Sequence, residues 1–418
     1  MKKNFLLLLA LITASTAFVS CNDDDNDNNN KKESVYSDKS YGNNAIDACN
    51  DLADALTKAN GAIASSKVSE YENELRDVVA TVVDDVIIPT YTNLADDTES
   101  LMKNLRGLDV NSLTQNAINN ACEDFKKARK HWEQSEAFLG GAASDFDVDP
   151  TIDSWPLNRT LLISYLASGR TDFNDDELDD ASILGFHALE FILFRNGQPR
   201  ALNEFKGNDT YKGFEKISGA SELAYAQRIC QLLYARTCQL QVAWEGATSG
   251  NEARMNLVKA SGLEYQTTKG YSFGENMKNA GNTAVSTFPT IVSAITQLLS
   301  ADEGSCVGIA DEVGNAKIAN PFSSGDVSYV ESPFSHNSIT DFQDNIRSIR
   351  NVWLGSTSGK RANKSFAKFF ADHSTKIGRD VEDAYTDAIA KIGSMPAPFV
   401  KYVSTIWGIE YEDSELAE

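Results

Sequence analysis

Apolar residues recur every three or four positions along most of the chain, which is the spacing of one buried helix face. Ile46, Leu52, Leu56 and Ile63 are an example near its start. The alternation typical of half-buried strands is scarce. The spacing therefore predicts an all-α fold. The predicted helices cover residues 46–63, 72–88, 112–139, 154–167, 176–194, 222–245, 251–263, 274–300, 339–354 and 362–392, and a short last piece ends at residue 407.

Two stretches lack the helical period. Residues 196–218 contain three glycines and a proline, which are typical of a loop or linker. We therefore expect an N-terminal helical bundle over 42–200 and a C-terminal bundle over 214–411, with a shared interface. Residues 301–338 predict a long irregular loop in the second bundle, and loops of that length often carry function.

The first 41 residues predict a targeting segment and a tether rather than a folded domain. Lys2 and Lys3 precede an apolar run, which predicts a secretory signal peptide over 1–20. The run ends in Phe-Val-Ser-Cys21 and resembles the lipobox of bacterial lipoproteins, whose cysteine is lipidated; an ordinary signal peptide is the alternative. The acidic segment that follows, 21–41, predicts a disordered tether. We expect a protein of the bacterial outer membrane or cell surface, held in the membrane by lipid on Cys21.

Composition and charge narrow the functional classes. The 418 residues are 42% hydrophobic and carry a net charge of −22, so a core is available and nucleic acid is not an expected partner. Only four histidines are present, and a metal site would therefore depend on carboxylates. Five cysteines remain after Cys21, an odd number, and we expect them to be buried core residues.

One segment combines an apolar helix with two polar residues. Residues 183–194 read Ile-Leu-Gly-Phe-His-Ala-Leu-Glu-Phe-Ile-Leu-Phe, which predicts a helix that is buried on all sides. His187 and Glu190 are three residues apart and share one face. Because a buried unpaired carboxylate is costly, both must have partners. The pair could bond to neighbouring Arg and Asp side chains, ligate a metal, or act as a base and its orienting group.

The stretch from Gly185 to Glu190 is similar to the GxHxxE signature of the imelysin-like family. Further stretches fit that family's pattern in the same order, over most of the chain that follows the predicted tether. They are Arg129-Lys130-His131-Trp132 with Glu136-Ala137-Phe138, Asp153-Ser154-Trp155-Pro156, and Glu331-Ser332-Pro333-Phe334-Ser335 leading into Asp341-Phe342.

The resemblance implies an all-helical surface or periplasmic protein of two bundle-like domains. Some members of the family are described as metallopeptidases and others are linked to iron uptake. The signature differs from the HExxH motif of zinc peptidases, which supplies two histidines four residues apart. Phe191 takes the place of the second histidine here, so that mechanism is excluded for this helix.

Two functional hypotheses follow, and a structural alternative stays open. In the first, His187 and Glu190 bind a divalent or ferric metal ion where the bundles meet, with Glu136 and Asp153 as candidate ligands and Arg129 as a charge partner. In the second, the same pair serves a metallopeptidase, and Ser335 contacts a polypeptide substrate. No catalytic residue is assigned. In the alternative, the pair only braces the two domains, and the aromatic side chains of the motifs, Trp132, Phe138 and Trp155, pack at the interface.

Overall fold

The computed structural model describes residues 35–409, except 174–177, 179 and 302–303. In that part the chain is almost entirely helical, and one antiparallel pair of two-residue strands is the exception. The predicted all-α class is therefore confirmed. The predicted signal peptide, Cys21 and residues 21–34 of the predicted tether lie outside the described residues. The tether prediction extends too far, because a short 3-10 turn begins at Val35 and a helix at Ser40.

The described elements follow one another with short connections. The α-helices are Ser40–Ser65, Val68–Val82, Ile88–Arg106, Gln115–Glu133, Ala142–Asp145, Asp149–Ile152, Arg159–Ala167, Gly185–Leu193, Gly219–Glu245, Glu252–Ala260, Phe273–Lys278, Ile291–Leu299, Cys306–Asp311, Ala319–Ser324, Ser338–Leu354, Phe366–His373, Thr375–Ser394 and Phe399–Trp407. Turns of π-helix cover Val83–Ile87, Glu204–Asn208 and Glu312–Ile318, and 3-10 turns cover Val35–Ser37, Glu136–Phe138, Ala181–Ile183 and Val327–Tyr329. The strands are Phe194–Arg195 and Gln198–Pro199.

The sequence predicts that the helix over 72–88 is broken or kinked at Pro89, and the structure shows no break, because the helical path continues from Val68 to Arg106. Proline removes one backbone hydrogen bond, and the π turn Val83–Ile87 directly before it takes up the irregularity. This 39-residue stretch is also long and apolar enough to cross a membrane, by length and composition only. Since 56% of its most apolar window is buried inside the protein, it is a core helix of this fold.

Several predicted helix ends move because other residues provide the caps. Thr114, rather than Ser112, accepts the first free amide of its helix, from Ala117. Asn158, rather than Ser154, does so for the helix that ends at Ala167. The predicted helices 274–300 and 362–392 are each divided in two. In the first of them, Thr290 and Ser293 form a capping box that starts a new helix.

The predicted loop 301–338 is largely helical, which corrects the sequence reading. Ser305 caps a helix by accepting the amide of Gly308, and the π turn Glu312–Ile318 continues it. The glycines of this stretch weaken its helical pattern, but Ile309, Val313 and Ile318 bury their side chains in the core. Packing therefore stabilises a helix that local preference does not predict.

The helices pack across the predicted linker. Ser40–Ser65 lies along Thr375–Ser394, and Ile88–Arg106 packs against both Gln115–Glu133 and Gly219–Glu245. The described part of the chain forms one compact unit, in which helices of 42–200 and 214–411 share a core. The division into two bundles stays a prediction. The predicted linker contains the second strand of the pair and a π turn. The five described cysteines are buried, as expected, and free.

Candidate functional site

Gly185 fixes the position of the signature helix Gly185–Leu193. Its φ is +69°, a conformation that favours glycine. A Cβ atom added there would lie 2.1 Å from the backbone oxygen of Ile152. Only a residue without a side chain therefore lets the start of the helix lie directly against the backbone that precedes Asp153.

That close approach brings His187 to Asp153. The His187 Nε2 atom lies 3.1 Å from Asp153 Oδ1, and its Nδ1 atom lies 3.6 Å from Glu190 Oε2. The imidazole also packs on Trp155, with 4.4 Å between the ring centroids. Burial lowers the pKa of His187, but the charge of Asp153 and the hydrogen bonds to Asp153 and Glu190 together outweigh burial and leave the pKa raised. The histidine is thus held between two acids and beneath an indole ring.

Glu190 is bonded to the loop that carries Ser335. Its Oε1 atom accepts hydrogen bonds from the Ser335 amide and from the Ser335 hydroxyl, both at 2.7 Å. The Glu190 side chain is fully buried. This contact joins the signature helix to a segment 145 residues further along the chain, and it gives Ser335 a positioning role.

Arg129 lies at the centre of an ion cluster. Its guanidinium pairs with Asp153, contacts Glu133 and Glu331 at 2.6 Å, and approaches Asp341 at 3.8 Å. The side chain is 1% exposed. The predicted role of Arg129 as a charge partner rather than a ligand agrees with these contacts. Trp132 adds a hydrogen bond from Nε1 to Asp153 Oδ2 at 2.6 Å.

A cavity of about 420 Å³ lies beside this cluster. Asp153 and Glu331 belong both to the cluster and to the cavity wall. The Lys317 ammonium, from the π turn, stands 3.3 Å from Glu331 and 3.7 Å from Glu312. The remaining polar wall is acidic, and Trp155 and Tyr329 close one side.

Glu136 is one of two acids of the wall that have no hydrogen bond or ion pair among the described residues, although the charge of Lys317 acts on it. It is 4% exposed and lines the cavity. In the described part of the chain, no hydrogen bond or ion pair forms to its carboxylate. Asp149, on the same wall, is likewise without one among the described residues. Two carboxylates therefore face the cavity with free acceptor atoms, the condition under which a cation is bound most favourably.

The pKa values of the acids around the cavity reflect their burial and the small number of positive charges beside them. Burial raises the pKa of Glu133 to about 8 and that of Asp149 to about 7, and it places the pKa of Glu136 well above its ordinary range. Burial acts on Asp153 as well, but the charges of Arg129, His187 and Lys317 together outweigh it and hold the pKa low. Around the cavity, acids outnumber bases. The acids are Glu133, Glu136, Asp149, Asp153, Glu190, Glu312, Glu331 and Asp341, and the bases are Arg129, Lys317 and His187.

The structure thus brings the predicted residues to one place but gives them different positions. Glu136, Asp153 and Trp155 line the cavity. His187 and Glu190 are at most 1% exposed and lie behind Asp153. His187 therefore contacts Asp153, and Asp153 in turn lines the cavity.

Sequence reasoning did not select several members of the cluster. Glu133 follows Arg129 by four residues, a spacing that pairs charges on a helix and could have identified it. Glu331 and Asp341 stood in the family-like stretches without being chosen as candidates. Lys317 fell in the predicted loop, and no local signal marks it.

Two sets of three side chains could hold a metal ion, because their ligand atoms lie within 4.8 Å of one another. One set is Asp153, His187 and Glu331, and the other is Glu133, Glu136 and Asp153. Oxygen-rich sets with at most one imidazole suit hard cations, manganese and iron better than structural zinc. The free carboxylate of Glu136 makes the residues present fit such an ion.

Fold and site together define an all-helical protein with a buried ion cluster beside an acidic cavity. Comparison with known proteins gives the family. The sequence model of the imelysin family, peptidase M75, matches residues 87–408, and the chain belongs to that family. The resemblance read from the motifs is confirmed.

Two relatives carry a name related to iron. Iron-regulated protein A of Synechococcus elongatus is 23% identical over 319 residues, which cover 76% of this chain and 74% of that protein. A crystal structure from Parabacteroides distasonis, described as an iron-regulated protein A precursor, superposes with a TM-score of 0.59 at 25% identity. It covers 79% of this chain and 95% of that one.

Proposed function

We propose that this protein binds an iron ion, or a divalent cation of similar chemistry, in the acidic cavity and acts in iron handling at the cell envelope. The observation that carries the proposal is Glu136, a buried carboxyl that forms no hydrogen bond or ion pair within the described part of the chain and lines a cavity that is rich in acids. The iron-regulated names of its relatives support iron as the metal.

In this proposal Glu136, Asp153 and Asp149 face the ion, and Glu133 and Glu331 complete the oxygen ligands. Bound there, the ion would displace the protons that the raised pKa values of Glu133, Glu136 and Asp149 indicate, and it would balance the charge of the carboxylates. His187 and Glu190 hold Asp153 and the Ser335 loop in place. Arg129 keeps Asp153 ionised, because its positive charge holds the pKa of that carboxyl low.

The acids of the wall favour one form of the metal. An aquated cation can exchange its waters for these carboxyl oxygens as their protons leave, whereas an anionic chelate is repelled by the carboxylates once they are ionised. The cavity volume of about 420 Å³ is larger than a bare ion requires. Because a water takes about 30 Å³, the cavity has room for several waters bound to the ion. We therefore propose a hydrated cation rather than a negatively charged iron chelate.

The test is metal binding by purified protein after chelator removal. Fe²⁺ under anaerobic conditions and Mn²⁺ are titrated by calorimetry against wild type and Glu136→Gln. We expect near-unit stoichiometry and an affinity loss of tenfold or more in the variant, because a strong oxygen ligand becomes a neutral amide.

Asp383→Asn is the matched control. Asp383 lines a separate acidic groove of about 390 Å³ between two helices, with Asp51, Asp380 and Asp387. The acids of that groove are exposed and attract cations only weakly, and none of them is a buried ligand. Equal losses in the two variants, or equal binding by wild type and Glu136→Gln, would contradict the proposal.

The peptidase hypothesis is the second candidate, and the family description favours it. Its test uses the same protein with unfolded polypeptides, with and without chelator. Cleavage that chelator abolishes and that Glu136→Gln lowers supports it. No cleavage across several substrates by metal-loaded protein would leave cation binding as the proposed activity.

A further inference from the structure

Three of the four exposed large apolar side chains in the described part of the chain belong to its two ends. Val35, Trp407 and Ile409 are 56%, 45% and 39% exposed, and Tyr271 is the fourth. The turn Val35–Ser37 packs against the last helix, Phe399–Trp407. Scattered apolar residues are normal on a protein surface, but a cluster marks a contact site. We call Val35, Trp407 and Ile409 the terminal patch.

Contacts between the two ends of the chain hold the patch together. The Tyr36 hydroxyl donates to the Ala397 carbonyl at 2.5 Å, and Lys401 Nζ lies 4.9 Å from the centre of the Tyr36 ring. Lys39 Nζ lies 5.5 Å from the centre of the Trp407 ring. The first described residue and the last helix therefore share one small surface.

The indole of Trp407 is oriented by the fold. Its Nε1 atom donates to the Phe322 carbonyl at 2.9 Å. A Cβ atom on Gly325 would lie 2.8 Å from the ring, so the backbone at this glycine supports one side of the indole. The ring is thus fixed, and 45% of the residue stays open to solvent.

The position of the patch along the chain suggests what covers it. Cys21, the predicted lipidation site, precedes Val35 by 14 residues. Such a segment spans at most about 50 Å when fully extended. A lipid on Cys21 would therefore keep Val35 close to the bilayer surface. This step rests on the predicted lipidation and not on the proposed metal site.

The chemistry of the patch suits the interface of a phospholipid bilayer. Tryptophan and lysine are common at that level, where the ring meets the acyl chains and the ammonium meets phosphate. Five acidic residues follow Ile409 in the sequence, and the whole chain carries −22. These charges disfavour an anionic surface, so a zwitterionic headgroup is the better match.

A second copy of the chain is a poorer occupant. Three half-exposed side chains offer on the order of 300 Å² of apolar surface, whereas a stable protein interface takes about 800 Å² from each partner. A membrane contact that works together with an anchor needs far less area, because the anchor supplies the local concentration.

We propose that the terminal patch rests on a zwitterionic phospholipid surface, with the side chains of Val35, Trp407 and Ile409 at the headgroup boundary. The contact fixes one orientation of the protein on the membrane. The anchor then holds the protein to the bilayer, and the patch decides which side faces it.

The test uses quenching of tryptophan emission by lipid. All five tryptophans lie in the described part, and Trp407 is the exposed one. The chain from residue 21 to 418 carrying Cys21→Ser is titrated with phosphatidylcholine vesicles whose acyl chains bear bromine, which quenches indoles in contact with it. We expect quenching that Trp407→Phe removes, and a partition coefficient about tenfold lower in Val35→Ser/Ile409→Ser.

Tyr271→Ser is the matched control, because Tyr271 is exposed to a similar degree elsewhere and should leave partition unchanged. We also expect the wild-type protein to partition a few fold more weakly onto phosphatidylglycerol vesicles than onto phosphatidylcholine vesicles. The proposal is overturned by absent quenching, by equal partition of wild type and the double serine variant, or by a preference for phosphatidylglycerol. A dimer in solution that Ile409→Ser dissociates would overturn it as well, since a second copy would then cover the patch.

Discussion

The Nε2 atom of His187 lies 3.1 Å from Asp153 Oδ1, and the aspartate, not the histidine, lines the acidic cavity. The histidine of the family signature therefore affects the cavity indirectly in this chain, through its contact with Asp153. Asp153 connects three features: the signature helix, the Arg129 cluster and the wall.

This relationship predicts an order of effects on cation binding. Asp153→Asn should weaken Fe²⁺ or Mn²⁺ binding by tenfold or more, because Asp153 belongs to both candidate ligand sets. His187→Gln should weaken it by only a few fold, since the glutamine keeps a polar contact to Asp153. Calorimetric titration of both variants checks the order.

The reverse order would identify His187 as a direct ligand. Equal affinity in wild type and His187→Ala would separate the signature histidine from cation binding altogether. Circular dichroism and unfolding of the metal-free variants serve as the control for folding, because both side chains are buried.

Stability should depend on pH because buried acids have raised pKa values. The pKa of Glu133 rises from 4.5 to about 8 and that of Asp149 from 3.8 to about 7, so the folded state binds more protons than the unfolded state between those values. The free energy of unfolding then decreases as pH rises through about 4–8. Thermal unfolding at a series of pH values measures this.

A bound cation should restore the stability that the protein loses as pH rises. More of the acids are ionised at pH 8 than at pH 5, because the pKa of Asp149 is about 7 and that of Glu133 about 8. Mn²⁺ should therefore raise the melting temperature more at pH 8 than at pH 5, where protons occupy the same oxygens. In Glu136→Gln the difference between the two pH values should shrink. A melting temperature that rises from pH 5 to pH 8 in metal-free protein would contradict the assignment.

Arg129 should be essential to the stability of the fold. Arg129→Met leaves Asp153, Glu133 and Glu331 without their shared counter-charge, and loss of one partner from a buried ion cluster costs about 3–5 kcal/mol. Urea unfolding measures the change. Lys376→Met is the control, because Lys376 and its partner Asp380 are both exposed and the loss of their ion pair should cost about 1 kcal/mol or less.

Gly185→Ala should disrupt the site from its backbone. The new Cβ would overlap the Ile152 carbonyl oxygen and would force a left-handed φ on alanine, so we expect a loss of about 3 kcal/mol or more and weaker cation binding. Gly61→Ala is the control, since Gly61 lies within a helix with open space around it. That variant should gain about 0.5–1 kcal/mol in urea unfolding.

Much of the fold could be predicted from the sequence, because helical periodicity and caps are local. The spacing of apolar residues located most of the long helices, and the all-apolar segment around His187 identified a helix that is buried throughout. Errors arose where packing outweighed local preference, as at the continuous helix through Pro89 and at the helices of 306–324.

The site could be predicted only in part. Gly185, Glu136, Asp153, Arg129 and Ser335 were identified because they stand in recognisable motifs. The roles that the structure gives them differ, however, since Ser335 bonds to Glu190 and His187 lies behind Asp153. Motifs indicate which residues matter more readily than which atoms meet.

The sequence by itself determined the helical class and the common face of His187 and Glu190, because a period of 3.6 residues is fixed within a few turns of one chain segment. The tertiary structure decided which acids surround Arg129 and which of them face the cavity. Arg129 and Glu331 are 202 residues apart, and their contact depends on how separate helices cross. Charge balance at a buried site is therefore settled by packing, and no local pattern encodes it.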